Sequence, residues 1–581
     1  EEEIKALEGR LPVIVIGSDP SYWRLSTVNP EVVATVYQYL LYNGQENLCE
    51  MLKYLLATLF GHEIAYRPPK ENPWEGIFHP ETGGPFGSVE EFLGNYPYKD
   101  RPLVGLLYSR SNWITGNMEV ERALIMALEE RGLGVIPVFF YSLKDKALGN
   151  LSGEEVVRKF FLKEGRPLIE ALIKLTSFFL GSSKGQIGES QAEAGARFLL
   201  ELGVPLFAPL ISYYKDERQW LDDPQGLGQQ VAWSIAMPEF EGAIEPLIIG
   251  ATRGVSAPEE EFYEPIEERI VKVADRVAHW VALRRKPNRE KRVAFILHNN
   301  PCASVEATVG GGAHLDTLES VARILQRMKE EGYRVEDPPA NGRELIEEIM
   351  RRKAISEFRW TTVNEIVEKG GALALIDVED YLRWFEELPE GTRARMIEAW
   401  GEPPGEERDG VPPGMVYDGK LVVTGVRYGN AVVCVQPKRG CAGARCDGRV
   451  CKILHDPDVP PPHQYVATYR WLSRVFGADV IVHVGTHGNL EFLPGKATGL
   501  SGGCFPDIGI DTLPHLYIYN ADNPPEGTIA KRRSYAVLVD HMQTAMVPGE
   551  LYGDLEEIET VSYTHLRAHE TRHDLVCRLL L

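Results

Sequence analysis

Residues 480–491 read Val-Ile-Val-His-Val-Gly-Thr-His-Gly-Asn-Leu-Glu. The opening run is apolar and largely β-branched, which predicts a buried strand, and Gly485 ends it abruptly. The strand and the glycine-broken turn after it bring His483, His487 and Glu491 to the strand's carboxyl end. Imidazole and carboxylate groups hold divalent ions such as cobalt, zinc or iron, and they also accept protons near neutral pH. We therefore take Glu491, His487 and His483, in that order, as candidate catalytic and metal-holding residues. The alternative is structural, with His483 only hydrogen-bonding a neighbour.

Composition bounds the class of protein. The chain has 581 residues, enough for roughly four domains. Its net charge of -22 argues against nucleic acid as the main partner, because phosphate neutralisation needs a basic face. No apolar run approaches the roughly 18 residues of a membrane span. Eight cysteines are too few for a disulfide scaffold in a chain of this length, so we expect a cytoplasmic protein.

The order of elements predicts a multidomain α/β fold, built from several parallel-sheet βαβ units with helical insertions. The clearest unit has strands at 103–108 and 134–140 around a helix at 118–131. A further helix is expected over 154–179. We expect boundaries at 1–100, 101–286, 287–400, 401–560 and 561–581. The last segment looks like the out-of-frame translation of a sequencing adapter and is expected to be non-native.

Two other segments shape the expected topology. A strand at 292–297, the glycines 310–312 and a helix over 315–328 form a strand, loop and helix arrangement. This arrangement could present backbone N–H groups to an anion, or it could be a plain crossover turn. Residues 421–424 and 431–435 predict a hairpin around Tyr428-Gly429-Asn430.

Four cysteines lie close together in a glycine- and arginine-rich stretch, at Cys434, Cys441, Cys446 and Cys451. Four thiolates suit tetrahedral zinc or an iron–sulfur cluster. The spacing does not form standard zinc-ribbon pairs, so reduced free thiols are the alternative.

Residues 482–496, read with the blocks around them, carry a resemblance to a known family. The supporting blocks are 39–47, 105–108, 315–317, 455–463, 504–507, 513–517 and 526–534. Together they resemble the large tetrapyrrole-binding subunit of cobaltochelatase and magnesium chelatase. The resemblance runs from about residue 10 to about residue 559, and full-length members of that family are much longer.

The resemblance implies insertion of a divalent metal into a tetrapyrrole. The blocks at 42–47 and 460–463 are closer to the cobalamin branch, which inserts Co²⁺ into a corrin of the hydrogenobyrinic acid a,c-diamide type. The block at 529–535 is closer to magnesium chelatase, which inserts Mg²⁺ into protoporphyrin IX. Both metals stay open, with cobalt preferred.

A corrinoid or porphyrin carries carboxylates, and basic side chains are expected to contact them. The candidates for substrate binding are Lys438, Arg439, Lys496, Lys531, Arg532 and Arg533. The alternative is a solvated basic patch on an acidic protein.

The family's reaction consumes ATP, but this chain shows no phosphate-binding loop. Gly495-Lys496 imitates one, yet Leu490 and Ala497 stand where a Walker motif needs glycine and Ser/Thr. ATP hydrolysis is therefore expected on partner subunits, an AAA+ ATPase and an adaptor with a metal-binding module. Two rival functions remain: a zinc or iron–sulfur protein using the cysteines, and a non-catalytic tetrapyrrole carrier or sensor.

Overall fold

The computed structural model describes residues 2–17, 19–182, 189–253, 262–299, 308–312, 314–357, 361–407, 413–440, 457–486, 488–519 and 524–540. The chain up to Val539 forms one compact unit, Glu1–Val539, and Asp540–Leu581 forms a second. His487, Cys441, Cys446, Cys451 and the segment 561–581 lie outside the described residues.

The described part of the chain contains strands of two to seven residues. In chain order they are β1 (Glu75–His79), β2 (Gly83–Phe86), β3 (Leu103–Ser109), β4 (Gly134–Phe140), β5 (Leu162–Lys163), β6 (Arg166–Pro167), β7 (Ala171–Lys174), β8 (Leu206–Phe207), β9 (Leu210–Ser212), β10 (Ile248–Thr252), β11 (Tyr263–Pro265), β12 (Val293–Leu297), β13 (Ala372–Ile376), β14 (Val416–Tyr417), β15 (Lys420–Thr424), β16 (Val426–Tyr428), β17 (Ala431–Val435), β18 (Val480–Val484), β19 (His515–Ile518) and β20 (Val537–Val539).

Helices connect and cover these strands. They are α1 (Glu2–Lys5), α2 (Pro30–Tyr42), α3 (Gln45–Phe60), α4 (Val89–Asn95), α5 (Arg110–Thr115), α6 (Glu119–Glu130), α7 (Gly153–Phe161), α8 (Glu189–Leu202), α9 (Glu217–Asp222), α10 (Met237–Phe240), α11 (Glu267–Arg285), α12 (Thr317–Glu330), α13 (Gly342–Arg352), α14 (Val363–Glu368), α15 (Val378–Glu386), α16 (Glu390–Trp400), α17 (His463–Arg470), α18 (Phe505–Ile510) and α19 (Pro524–Arg533). Short 3₁₀ turns cover Pro20–Leu25 and Asn288–Glu290, and π-helical turns cover Ala232–Ala236 and Trp471–Val475.

The first large sheet, which we call the N-terminal sheet, has the order β2-β1-β4-β3-β7-β8. Its strands β4, β3, β7 and β8 are parallel, and β1 and β2 are antiparallel additions at one edge. The predicted βαβ unit is confirmed, with α6 crossing between the parallel strands β3 and β4. The apolar side of α6 packs into the core because Val120, Leu124 and Leu128 recur at helical spacing.

The helix predicted over 154–179 is confirmed only up to Phe161 and is wrong beyond it. Helix α7 ends at Phe161, Gly165 takes a left-handed φ of 75°, and Ala171–Lys174 forms strand β7. Pro167 removes a backbone donor, and the buried position between β3 and β8 decides the conformation of the apolar run after it.

The second large sheet, which we call the C-terminal sheet, has the order β16-β17-β12-β18-β19-β20. Strands β17 to β20 in that order are parallel, and β16 is antiparallel to β17. The chain starts this sheet at β12, moves to one side for β17 and then to the other for β18. Helix α12 packs on one face with β12, and α17 packs on the opposite face. The carboxyl ends of β12 and β18 therefore flank a topological switch point, where open α/β sheets bind ligands.

The predicted hairpin is only partly right. Strand β15 pairs with β13 and β14 in a separate three-stranded sheet, and the hairpin at residues 428–430 joins β16 to β17. Gly425 separates β15 from β16 with a φ of 159°, and a Cβ atom there would lie 2.6 Å from Leu373 Cδ1. Because the chain bends at Gly425, the consecutive strands β15 and β16 belong to two different sheets.

Smaller sheets and a long helix complete the unit. Strands β11, β10 and β9 form a three-stranded sheet, and β5 pairs with β6. Helix α11 packs in the same core as both large sheets. The predicted α/β class with several parallel βαβ units and helical insertions is confirmed. No helix in the described ranges is both long and apolar enough to cross a membrane.

Candidate functional site

Two tightly packed loops lie at the switch point of the C-terminal sheet. Gly485 follows β18 with a φ of 125°, and a Cβ atom there would lie 2.5 Å from Gly311 O and 2.9 Å from His298 Cβ. The backbone N–H of Thr486 donates to Gly311 O at 3.1 Å. The absence of a side chain at Gly485 thus lets the loop after β12 lie directly against the turn after β18. Whether the glycines at 310–312 present N–H groups to an anion or only form a crossover turn stays a prediction.

His483 is fully buried, and both its ring nitrogens have protein partners. Nδ1 lies 3.0 Å from His515 Nε2, and Nε2 lies 2.9 Å from the Tyr469 hydroxyl. His515 Nδ1 lies 2.8 Å from Ser534 O, a carbonyl that only accepts, so this nitrogen carries the hydrogen.

The hydrogen bond from His515 to Ser534 O determines the direction of the two hydrogen bonds of His483. Burial lowers the pKa of His515 to about 4 and that of His483 well below its usual value, so both rings are neutral. His515 Nε2 then accepts from His483 Nδ1, and His483 Nε2 accepts from Tyr469. The structure therefore places His483 in a directed chain that ties β18 to β19 and α17.

Glu491 is the buried acid of the site, with 1% of its surface exposed. The Tyr517 hydroxyl donates to its Oε1 at 3.5 Å. Its Oε2 has no hydrogen-bond partner among the residues the structure describes. Burial raises the pKa of Glu491 to about 7, and the nearby Glu526 carboxylate adds to the rise. Such a carboxyl can take up and release a proton at neutral pH.

The structure adds His298, which the sequence reasoning missed. This residue directly follows β12, is buried, and has its Nδ1 3.2 Å from the Tyr517 hydroxyl. A Cβ atom on Gly488 would lie 2.7 Å from His298 Nε2 and 3.0 Å from Glu491 Oε1, so both atoms face the same glycine. The available signal was the position after an apolar strand, since the carboxyl ends of parallel strands meet at one edge.

Several of the predicted basic residues contact the protein itself. Arg533 donates to three carbonyls of the loop after the switch point, those of Glu491, Leu493 and Lys496, at 2.7 to 3.0 Å. Arg532 forms an ion pair with Glu239 at 2.8 Å. Lys496 Nζ donates to the carbonyls of residues 221 and 223, and Lys438 Nζ donates to Glu357 O at 2.6 Å. These four side chains hold loops in place.

Lys531 and Arg439, the other two candidates for substrate binding, are not shown holding a loop in this way. Lys531 is partly exposed on α19, and it has no ion pair within the part of the chain that the structure describes. Arg439 is buried. Burial is the main cause of the pKa shifts of Tyr465 and Arg533, and the positive charge of Arg439 also acts on both pKa values. Arg439 therefore lies near these two residues, at the carboxyl edge of the C-terminal sheet. The structure thus brings Arg439 and Arg533 together beside the loop that carries Glu491.

Cys434 lies inside strand β17 and is fully buried. Burial raises the pKa of its thiol to about 12. The other three clustered cysteines and His487 fall outside the described residues. Within the described ranges, no group of three or more His, Cys, Asp or Glu side chains is arranged to hold a metal ion.

Comparison with known proteins shows which family this chain resembles. The model of the CobN/Magnesium Chelatase family matches residues 37–578. The chain is 48% identical over 574 residues to the uncharacterized protein MJ1441 of Methanocaldococcus jannaschii, covering 97% of this chain and 45% of that protein. It is 33% identical over 573 residues to the aerobic cobaltochelatase subunit CobN of Pseudomonas aeruginosa, covering 97% of this chain and 42% of the relative. It is 30% identical over 552 residues to the chloroplastic magnesium-chelatase subunit ChlH of Oryza sativa, covering 91% and 37%.

A solved structure agrees with these relatives. The catalytic subunit of cobaltochelatase from Mycobacterium tuberculosis superposes with a TM-score of 0.69 at 28% identity, covering 98% of this chain and 45% of that one. The chain thus spans under half the length of the relatives it matches. These matches do not support a zinc or iron–sulfur protein. The family match over most of the sequence and the shared fold show that the chain belongs to the CobN/Magnesium Chelatase family.

Proposed function

We propose that this chain is part of the large, tetrapyrrole-binding subunit of an ATP-dependent metal chelatase, and that it inserts Co²⁺ into a corrin. The observation that carries the proposal is Glu491, a buried carboxyl with a pKa of about 7 at the switch point of a parallel sheet. The membership of the chain in the CobN/Magnesium Chelatase family supports it.

The chemistry of the reaction explains why such a group is useful. When a divalent ion enters the macrocycle, it binds the four ring nitrogens, and the N–H protons inside the ring must leave. Glu491 accepts one of these protons, because an acid with a pKa near 7 is partly ionised at neutral pH. His487, two residues beyond Gly485, is the second candidate acceptor and a candidate for holding the ion before transfer. His483 acts indirectly, since both of its nitrogens serve the hydrogen-bonded chain.

The carboxylates of the substrate need cationic partners. Lys531 is the first candidate among the basic residues, because it is accessible on α19 and has no ion pair within the described ranges. Arg439 is the second candidate. ATP hydrolysis belongs, in this proposal, to an AAA+ ATPase and an adaptor subunit that bind this chain.

Magnesium insertion into protoporphyrin IX is the second candidate function. The specific observation in its favour is the 30% identity to the magnesium-chelatase subunit of rice, close to the 33% identity to CobN of Pseudomonas aeruginosa. Insertion assays with each metal and each metal-free macrocycle distinguish the two functions.

The decisive variant is Glu491→Gln, which keeps the size of the side chain but cannot accept a proton. We expect insertion to fall by roughly 100-fold or more, the usual contribution of a general base, while tetrapyrrole affinity changes little. The assay combines the purified protein with ATPase and adaptor subunits of a chelatase. Glu121→Gln is the matched control, because Glu121 is also buried with a pKa raised to about 7, but it lies on α6 in the N-terminal part of the unit.

The outcomes separate the rival functions. Loss of insertion in Glu491→Gln with normal insertion in Glu121→Gln supports the proposal. Insertion at the wild-type rate in Glu491→Gln removes this residue from the mechanism. Tight tetrapyrrole binding by the wild-type protein without insertion of either metal would instead indicate a carrier or sensor.

A further inference from the structure

Tyr517 connects the two loops at the switch point of the C-terminal sheet. It lies on β19, the neighbour of β18, and only 1% of its surface is exposed. Its hydroxyl lies 3.2 Å from His298 Nδ1, after β12, and 3.5 Å from Glu491 Oε1, after β18. A buried tyrosine hydroxyl requires hydrogen-bond partners, and here two of the partners are titratable groups at the switch point, while the backbone N–H of Gly488 is a third.

The direction of these two contacts follows from the donor count. An ionised carboxylate only accepts hydrogen bonds, so the single hydroxyl hydrogen of Tyr517 points to Glu491. The hydroxyl oxygen accepts from the backbone N–H of Gly488, and its second lone pair can accept from His298, which requires the hydrogen of that ring to be on Nδ1. The order of donors is therefore His298 to Tyr517 to Glu491. The 3.5 Å separation is long, as catalytic contacts often are before the substrate binds.

We propose that Tyr517, held in place by the Nδ1–H of His298, is a positioning residue that orients the Glu491 carboxyl toward the substrate. This inference rests on the proposed function of Glu491 as a proton acceptor. With Oε1 held by Tyr517, Oε2 is the oxygen directed at the pyrrole N–H group. Gly488 belongs to the same arrangement, because any side chain there would collide with His298 Nε2 and Glu491 Oε1.

The kinetic test uses Tyr517→Phe, which removes the hydroxyl alone. We expect kcat for metal insertion to fall roughly 10- to 100-fold, as for a misplaced catalytic group, while the tetrapyrrole dissociation constant stays within about twofold. Tyr428→Phe is the matched control: Tyr428 lies in the same sheet, and its hydroxyl is buried without a hydrogen-bond partner in the described part of the chain. An unchanged kcat in Tyr517→Phe overturns the proposal.

A pair of substitutions at His298 tests the second link. His298→Ala removes the donor to Tyr517 and should lower kcat to the level of Tyr517→Phe. His298→Asn places an amide N–H near the position of Nδ1 and should recover most of the lost rate. Equal losses in both variants would mean that His298 acts only through packing, and would contradict the proposed order of donors.

A measurement without turnover separates this inference from the proposed function. The side-chain ¹⁵N resonances of histidine, assigned by their loss in His298→Ala, report which ring nitrogen carries the hydrogen. We expect Nδ1–H in the wild-type protein and a changed tautomer balance in Tyr517→Phe. An Nε2–H ring in the wild type would overturn the inference even if the protein inserts metal. Absence of insertion with a confirmed Nδ1–H ring would overturn the proposed function and leave the hydrogen-bond order standing.

Discussion

Burial controls the acid–base behaviour of two glutamates in this protein. Glu121 and Glu491 are each about 1% exposed, and burial raises the pKa of both to about 7. Each has one carboxylate oxygen without a hydrogen-bond partner among the described residues. Glu491 lies in the loop after β18, at the switch point of the C-terminal sheet, whereas Glu121 lies in the first turn of α6 and accepts from Asn112. A raised pKa therefore marks both residues as unusual, and their positions in the fold decide which one can act on a ligand.

The raised pKa of Glu121 leads to a prediction about stability. The unfolded chain releases the Glu121 proton near pH 4.5 and the folded chain near pH 7, so the protein loses stability as pH rises through this window. Glu121→Gln has no such proton to lose. We expect the variant to be about 1–3 kcal/mol more stable relative to wild type at pH 8 than at pH 4.5. Urea denaturation at the two pH values measures the difference, and an equal difference at both would contradict the prediction.

The turn after β18 depends on close backbone packing. Gly485 combines a φ of 125° with a position where a Cβ atom would lie 2.5 Å from Gly311 O. No rotation of a side chain can relieve a contact between Cβ and a backbone carbonyl. This turn therefore requires glycine at position 485, where any Cβ atom would collide with the loop after β12.

Gly485→Ala should accordingly be strongly destabilising. We expect a loss of roughly 2–4 kcal/mol in unfolding free energy, the sum of backbone strain and a displaced loop. Gly332→Ala is the control, because Gly332 also has a positive φ, of 83°, but a Cβ atom there would meet nothing within 4 Å. The control should lose about 1 kcal/mol from strain alone. Equal losses in the two variants would show that the contact with Gly311 contributes nothing.

Across the whole unit, buried charges on α11 tie the N-terminal and C-terminal sheets together. Asp507, on α18, accepts from Arg269 at 2.9 Å, from Lys272 at 3.2 Å and from Tyr535 at 2.7 Å. Burial alone would raise the pKa of Asp507, but Arg269 and Lys272 outweigh it and hold the pKa below its usual value. Farther along α11, Arg276 pairs with Glu245 and donates to Asp511 O at 3.0 Å.

Removing one charge of this group leaves the others buried without compensation. We expect Asp507→Asn to lower the unfolding free energy by about 3–5 kcal/mol, the usual cost of breaking a buried ion pair. Glu347→Gln breaks an exposed pair with Arg343 and should cost no more than about 0.5 kcal/mol. Denaturant midpoints at pH 7 give both values. A loss below 1 kcal/mol in Asp507→Asn would mean that α11 does not hold the sheets together through this pair.

The sequence by itself determined the local features of this protein: the strand at 480–484, the βαβ unit at 103–140 and the motif with Glu491. These follow from short-range patterns, since apolar periodicity and glycine breaks act within a few residues. The tertiary structure alone decided that Ala171–Lys174 is a strand, that β15 joins a different sheet from β17, and that His298 and Tyr517 meet Glu491. Those outcomes depend on which distant strands become neighbours, because burial and pairing between segments far apart in the chain override local preference. The same long-range packing turned Arg533, Lys496 and Lys438 inward to hold loops.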